Sequence, residues 1–142
     1  MPVREPTITL LAHELRETLG RFTRRLRAEP GPSVGRLAVL GRLDRDGASS
    51  ISDLAAAERM RPQSMAQTIH EMDDCGLVSR RPDPADGRRA IIELTAAGLE
   101  LLERTRAQRE TWLTEVLERE LTASDRALLH EALNLLSRIA DA

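Results

Sequence analysis

The chain has 142 residues, a length typical of one domain with a sizeable core, and its formal net charge is only −2 at pH 7. Whole-chain charge therefore gives no argument for binding to nucleic acid. The aromatic residues are one Phe and one Trp, so the core must be built from aliphatic side chains, above all 22 leucines, and this composition favours helices.

Cysteine content and hydropathy indicate where such a chain works. A single cysteine excludes an internal disulfide and the Cys-rich zinc frameworks, and it is typical of a reducing compartment. The sequence has no run of about 18 apolar residues and no apolar stretch of signal-peptide length near its start. We expect a cytoplasmic protein with neither a membrane span nor an export signal.

Two amphipathic helices are predicted at the start of the chain. The spacing of three or four residues indicates one apolar stripe over residues 7–27, formed by Ile8, Leu11, Leu15, Leu19, Phe22 and Leu26. Two prolines and a glycine in residues 28–33 break this helix. A second, shorter helix begins at Val34 and ends at a turn around Gly47.

Two short helices joined by a tight turn are predicted next. Ser50 and Asp53 have the spacing of a capping box at the start of the third helix. Pro62 suits the first position of a fourth helix, which runs to Cys75 and is stopped by Gly76. The inner face of this fourth helix is predicted to consist of Met65, Ile69 and Met72.

A β-hairpin and two further helices complete the predicted elements. Alternating apolar residues in 88–94, after a proline-rich loop, predict a hairpin with residues 77–81 as its other strand. Thr95 caps a fifth helix that reaches about Arg119. Thr122 and Asp125 form a second capping-box pattern, which opens a sixth helix near the end of the chain.

The sixth predicted helix has more apolar surface than packing on one neighbour requires, an arc of about 160 degrees. We therefore expect a homodimer whose interface is formed by residues 7–27 and 96–142. A monomeric helical core is the alternative. The candidate interface residues are Leu11, Leu113, Leu117, Leu129, Leu133 and Leu136.

The ordered set of two short helices and a basic hairpin predicts a winged helix-turn-helix. The fold class is thus mainly α with a small β-hairpin wing, in a single domain over residues 1–142. Residues 33–94 form the winged helix-turn-helix part, and the N- and C-terminal helices form the dimerisation region.

A family resemblance becomes clear at the wing and the segment that follows it. The motifs, supported by Leu54-Ala55 and Gly76-Leu77-Val78, are Asp83-Pro84-Ala85-Asp86-Gly87-Arg88-Arg89 and Leu94-Thr95-Ala96-Ala97-Gly98. With these motifs the chain resembles the MarR family of bacterial transcription regulators over nearly its whole length. The resemblance implies a DNA-binding homodimer, usually a repressor, often released by a small ligand or by oxidation. Two departures from the family pattern are Arg61, where a capping Ser is common, and Gln67, where a basic residue is common.

The fourth helix carries the residues that we expect to recognise DNA. With the methionines and Ile69 turned inward, polar side chains fall on the opposite side, where a helix in the major groove meets base edges. Glutamine can pair bidentately with adenine. The alternative is an ordinary solvated helix face. The candidate recognition residues are Arg61, Gln63, Ser64, Gln67 and His70.

The predicted hairpin loop places Arg88 and Arg89 where a guanidinium can enter the minor groove. The resemblance places a DNA-contacting arginine at Arg88. Asp86 is expected to restrain Arg88 or the loop through an ion pair. The alternative for these arginines is a charged hairpin that merely avoids edge pairing. Arg80 and Arg81 are either phosphate contacts or structural ion pairs, and so is Arg61 of the fourth helix.

A small-molecule effector is also expected from the resemblance, in a pocket formed by the first, second and fifth helices. The polar candidates there are His13, Arg16 and Arg36. No cofactor and no metal are expected, although His13 with Glu17, or His70 with Asp74, could form half of a metal site. Solvated pairs on a helix face are the alternative for these histidines.

Other function classes lack a supporting motif. The sequence has no P-loop, no Gly-x-Gly-x-x-Gly and no Gly-x-Ser-x-Gly, so we do not expect an enzyme. Oxidation sensing at Cys75 is disfavoured, because no second cysteine can resolve a sulfenic acid and Asp73 and Asp74 oppose thiolate formation. A winged-helix module that binds protein instead of operator DNA is the remaining alternative.

Overall fold

The computed structural model describes residues 5–142. Contacts divide this chain into two compact units, one that extends to Leu102 and one that comprises Glu103–Ala142. The described part is mainly helical with one small antiparallel sheet, as predicted. None of its helices is both long enough and apolar enough to cross a lipid bilayer.

The first two helices each begin at a side-chain cap, which the sequence analysis did not predict. Helix α1 spans Ile8–Ala28, and the hydroxyl of Thr7 accepts a hydrogen bond from the backbone N–H of Leu10. Helix α2 spans Val34–Asp46, and Ser33 caps it in the same way. Gly47 ends α2 with a φ of 84°, a conformation that a side chain disfavours.

Strand β1 (Ser49–Ser50) leads into the two helices of the helix-turn-helix, α3 (Ile51–Ala57) and α4 (Pro62–Asp74). Ser50 accepts from the N–H of Asp53, which is one half of the predicted capping box. A Schellman motif ends α4, because the N–H of Leu77 donates to Met72 O and the N–H of Gly76 to Asp73 O. This ending reverses the chain directly into the wing.

The wing is a three-stranded sheet rather than the predicted two-stranded hairpin. Strands β2 (Val78–Pro82) and β3 (Ala90–Leu94) pair antiparallel, with Val78 opposite Leu94 and Pro82 opposite Ala90. Strand β1 pairs with the other edge of β3, so the order is β1-β3-β2. The sequence did not predict β1, because two serines beside a helix cap have no strand pattern.

One apolar core holds α2, α3, α4 and the sheet together. Met65, Ile69 and Met72 are fully buried, which confirms the predicted inner face of α4. Val39 of α2 is also fully buried. The complete set of buried core residues is Val39, Leu40, Leu43, Leu54, Ala55, Met65, Ile69, Met72, Val78, Ile92 and Leu102.

The remaining helices are α5 (Ala96–Glu120) and α6 (Ala123–Ala140). Helix α6 begins with the predicted capping box, in which Thr122 and Asp125 satisfy each other's backbone N–H. Neither α1 nor α6 has a fully buried residue among those described. Large apolar side chains stay exposed on each, including Leu11 at 53% and Leu133 at 51%.

Candidate nucleic-acid interface

The outer face of α4 is polar and accessible. Every recognition residue predicted on this helix is exposed, namely Arg61, Gln63, Ser64, Gln67 and His70. They lie opposite the buried Met65 and Ile69, because residues near half a helical turn from a buried stripe face away from it. The geometry fits a helix that presents amide and hydroxyl groups to a flat polar surface.

A hydrogen-bonded network fixes part of this outer face. The Nε2 of Gln67 donates to Oε1 of Glu71 at 3.0 Å, and Oε2 of Glu71 accepts from Nη2 of Arg36 at 2.6 Å. The hydrogen bond from Gln67, followed by that from Arg36, holds the pKa of the Glu71 carboxyl below its ordinary value. Glu71 is therefore an anion at neutral pH, and sequence analysis had missed its role.

The loop between β2 and β3 is shaped by its two aspartates. The carboxylate of Asp83 accepts from the N–H of Ala85 at 2.9 Å, and that of Asp86 accepts from the N–H of Arg88 at 3.0 Å. In both, the backbone N–H two residues further along donates to the aspartate side chain, which is how aspartate stabilises a turn. Asp86 thus restrains the loop through the backbone, not through the ion pair that we had expected with the Arg88 side chain.

The arginines of the wing divide into two groups. The side chain of Arg88 is exposed and takes part in no ion pair or hydrogen bond within residues 5–142. Arg89 instead donates to Oγ of Ser50 at 2.7 Å and lies 3.6 Å from Asp53, at the start of α3. Arg88 is therefore available to a ligand, whereas Arg89 connects the wing to the helix-turn-helix.

The other two wing arginines, which the sequence left undecided, form ion pairs. Arg81 contacts Glu93 of β3 at 2.6 Å. Arg80 lies 3.4 Å from Asp73, so it links β2 to helix α4. This link fixes the wing relative to α4 within the first unit. Surface pairs of this kind contribute little stability, at most about 1 kcal/mol each, so their role here is mainly orientation.

The three candidate effector residues do not lie together. Arg36 lines a cavity of about 460 Å³ formed by residues at the start of α2, the helix-turn-helix turn and α4. His13 and Arg16 are exposed on α1, where Arg16 Nη2 lies 3.5 Å from His13 Nδ1, and neither lines that cavity. The residues that line it are Gly31, Pro32, Ser33, Gly35, Arg36, Met60, Thr68 and Glu71.

The histidines and the cysteine lie at accessible positions. His70 Nε2 is 3.4 Å from Asp74 Oδ2, an i,i+4 pair on the surface of α4. In the part of the chain that the structure describes, no three His, Cys, Asp or Glu side chains cluster as metal ligands would. Cys75 is exposed at the end of α4.

Known proteins of one family resemble this chain in sequence. The model of the MarR family matches residues 30–89, which cover the helix-turn-helix and most of the wing. An uncharacterized HTH-type transcriptional regulator of Mycobacterium bovis is 36% identical over 134 residues, 92% of this chain and 93% of that protein.

Solved structures extend the likeness to the whole fold. The crystal structure of a Pseudomonas aeruginosa protein assigned as a transcriptional regulator has a TM-score of 0.75 and 38% identity, over 93% of this chain and 94% of that one. A mutant of Escherichia coli MarR complexed with operator DNA shares the fold at 20% identity, with a TM-score of 0.71 over 90% and 94% of the two chains. Motifs, fold and relatives agree, and the chain belongs to the MarR family of transcriptional regulators.

Proposed function

We propose that the protein regulates transcription by binding operator DNA, with α4 in the major groove and the β2–β3 loop at the adjacent minor groove. The observation that carries this proposal is an exposed polar face on α4 beside the exposed guanidinium of Arg88, which has no partner among residues 5–142. The Arg80–Asp73 contact holds the two surfaces in one unit. A repressor that blocks polymerase access is the simplest mode of action for such a protein.

The two surfaces have different roles in the proposal. Gln67 and Ser64 reach base edges, and a bidentate glutamine–adenine pair supplies about 1 to 3 kcal/mol of discrimination. Arg88 responds to the negative potential and the width of the minor groove, so it anchors the protein with little direct sequence reading. The relative in complex with operator DNA supports this assignment by its shared fold.

We propose that the working form is a homodimer. Each of the two units carries an exposed apolar helix face, with Leu11 and Phe22 on α1 and Leu133 and Ile139 on α6. Neighbouring large apolar side chains that are exposed on one helix face are typical of an interface between subunits. Two recognition helices about 34 Å apart would read successive major grooves, so the operator is expected to be pseudo-palindromic.

We also propose a small-molecule effector, for which the cavity beside Arg36 is the supporting observation. Glu71 of α4 lines this cavity, so a bound effector would be able to change the position of the recognition helix. His13 and Arg16, the other two predicted effector residues, do not line this cavity. A cytoplasmic location follows from the proposed action on the genome.

Binding to a randomised operator library at two salt concentrations tests the DNA surface. Gln67→Ala is expected to relax base preference at one position in each half-site. Arg88→Ala is expected to weaken binding to all sequences and to lower the salt slope by about one unit per copy, whereas Arg88→Lys retains most of the salt slope. Gln108→Ala, an exposed glutamine on α5, is the matched control.

The protein-binding alternative gives a different result in the same assay. If the wild-type dimer selects no sequence, or if Gln67→Ala and Arg88→Ala bind every sequence as the wild type does, then α4 and the wing are not the DNA surface. A winged-helix module that binds protein would then be the better description.

A further inference from the structure

Two successive side-chain contacts connect Gln67 of the recognition helix to α2. Its Nε2 donates to Glu71 one turn further along α4, at 3.0 Å. Glu71 is in turn held by Arg36 of α2, 35 residues earlier in the sequence, at 2.6 Å. The Arg36 side chain is 32% exposed and the Glu71 side chain 45%, so this contact is partly shielded from solvent.

The identity of the partner fixes which way the Gln67 amide faces. A carboxylate only accepts hydrogen bonds, so it binds the NH₂ end of the amide and repels the carbonyl end. One N–H of Nε2 is used by Glu71, which leaves the second N–H and the carbonyl oxygen free. Those are the donor and the acceptor that a bidentate contact with adenine N7 and N6 requires.

Without Glu71 the amide would have no such preference. The two ends of a glutamine amide have nearly the same shape, so an exposed side chain can turn by half a rotation and present donor and acceptor in the wrong order. Arg36 contributes because a charge-assisted bond to Glu71 restricts the carboxylate to one rotamer. Each contact therefore removes alternatives that would not read the base.

We propose that Glu71 and Arg36 are positioning residues that orient the Gln67 amide, so that a contact from α2 determines operator preference at one position in each half-site. This inference rests on the proposed DNA-binding function. It differs from a purely structural tie between α2 and α4, which would affect unfolding but not the choice of base.

The test uses the full chain and the randomised operator library, with Glu71→Gln as the main variant. Glutamine has the shape of glutamate but presents both a donor and an acceptor, so it accepts either orientation of the Gln67 amide. We expect preference at the Gln67 position to fall about three- to ten-fold, a part of the ~5- to 150-fold that a complete bidentate pair supplies. Preference at the other positions stays unchanged.

Glu58→Gln is the matched control, because Glu58 forms a similar pair with Arg42 of α2, at 2.7 Å, away from Gln67. It removes the same charge, so any general gain in affinity for DNA appears in both variants. Arg36→Lys provides a second measurement, since it keeps a cation beside Glu71. It is expected to retain more base preference than Arg36→Ala, and it stays informative if Glu71→Gln does not fold.

A double variant separates positioning from an independent contact. Combined with Gln67→Ala, Glu71→Gln is expected to have no further effect on base preference, because nothing remains to be oriented. If Gln67→Ala lowers the preference while Glu71→Gln and Arg36→Ala keep that of the wild type, the positioning role is wrong and the proposed function stands. If the wild type selects no sequence, or Gln67→Ala changes nothing, the positioning role and the assignment of α4 as the reading helix both fail.

Discussion

Gly98, near the start of α5, lies against the backbone of Leu77, just after the end of α4. A Cβ at this position would stand 2.1 Å from the carbonyl oxygen of Leu77 and 2.8 Å from a methyl group of Leu94. Thr95 secures the same junction, because its hydroxyl donates to Gly76 O at 2.6 Å and accepts from the N–H of Gly98 at 3.0 Å. The Leu-Thr-x-x-Gly motif is therefore a packing requirement of the wing.

Gly98→Ala is expected to destabilise the fold by about 3 kcal/mol, since backbone atoms cannot move aside as a flexible side chain can. Gly35→Ala is the matched control, because no atom lies within 4 Å of a Cβ there, and it should gain about 0.5 to 1 kcal/mol. Denaturant unfolding at equal protein concentration measures both. Equal stability of Gly98→Ala and wild type would contradict the close approach.

The sequence predicted the environment of some residues but not of others. The burial of Met65, Ile69 and Met72 followed from helical periodicity alone, and their burial in turn made Gln67 exposed. The separate roles of Arg88 and Arg89 did not follow, because adjacent arginines look alike in sequence. Which of them meets Ser50 depends on β1, a pairing between residues about 40 positions apart.

At the scale of elements, the start of α4 is the least well capped helix end in the helix-turn-helix. Arg61 occupies the N-cap with extended backbone but no side-chain hydrogen bond to the helix. Helix α3, by contrast, is capped by Ser50. The first backbone N–H groups of α4 therefore have no acceptor from a capping side chain, and water or a DNA phosphate can accept their hydrogen bonds.

Arg61→Ser is expected to raise the free energy of unfolding by about 1 kcal/mol, because serine supplies the missing cap. Arg61→Ala loses the same charge without gaining a cap, so the difference between the two variants isolates the cap. Both should weaken DNA binding equally and lower the salt slope by about one unit per copy if Arg61 contacts phosphate. Thermal unfolding and binding at two salt concentrations give the two results. No stability difference between Ser and Ala would refute the capping argument.

The capping box of α6 makes the stability of that helix depend on pH. Hydrogen bonds from the hydroxyl of Thr122, and then from its backbone N–H, lower the pKa of the Asp125 carboxyl. A group whose pKa is depressed by folding stabilises the native state above its unfolded pKa, near 4. That contribution is lost as the pH falls through the lower, folded value.

Asp125→Asn is therefore expected to be less stable than wild type at pH 7, by the same margin down to about pH 5, and the difference should shrink below about pH 4. The melting temperatures of the two proteins across this range provide the measurement. A difference that grows as the pH falls would show that the sign is wrong.

Element types and boundaries followed closely from caps and breakers. The sequence placed the starts of α3, α4 and α6 at the residues where the structure has them, because each start carries a serine, threonine or proline signal. Strand β1 escaped prediction, since two residues pair only because β3 has a free edge. The three predicted effector residues stay a prediction, of which Arg36 lines the cavity beside α4 and His13 and Arg16 do not.

In the molecule as a whole, helices α1 and α6 each expose large apolar side chains to solvent. Leu128 is 67% exposed and Ile139 59%, on a helix without a buried residue among those described. Leaving such surface in water costs about 25 cal/mol per Å² relative to burying it. The proposed homodimer removes this cost, and DNA binding by two half-sites depends on it.

Replacing Leu133 and Leu136 together with Asp is expected to yield monomers or unfolded chains, because carboxylates would be forced unpaired into an apolar interface. Light scattering should give twice the 15.8 kDa chain mass for wild type. Glu131→Gln, on the same helix, is the control and should remain dimeric. A wild-type monomer at micromolar concentration, or a fully dimeric double Asp variant, would exclude this interface.

Sequence-specific operator binding is tested most directly by a gel-shift titration of the wild-type protein on the DNA upstream of its own gene, with unrelated DNA as competitor. If the protein binds its operator as a dimer, one shifted species is expected that contains two chains per site, survives excess competitor and is lost with Arg88→Ala at moderate salt. Equal affinity for the upstream region and the unrelated DNA at every salt concentration would contradict sequence-specific operator binding.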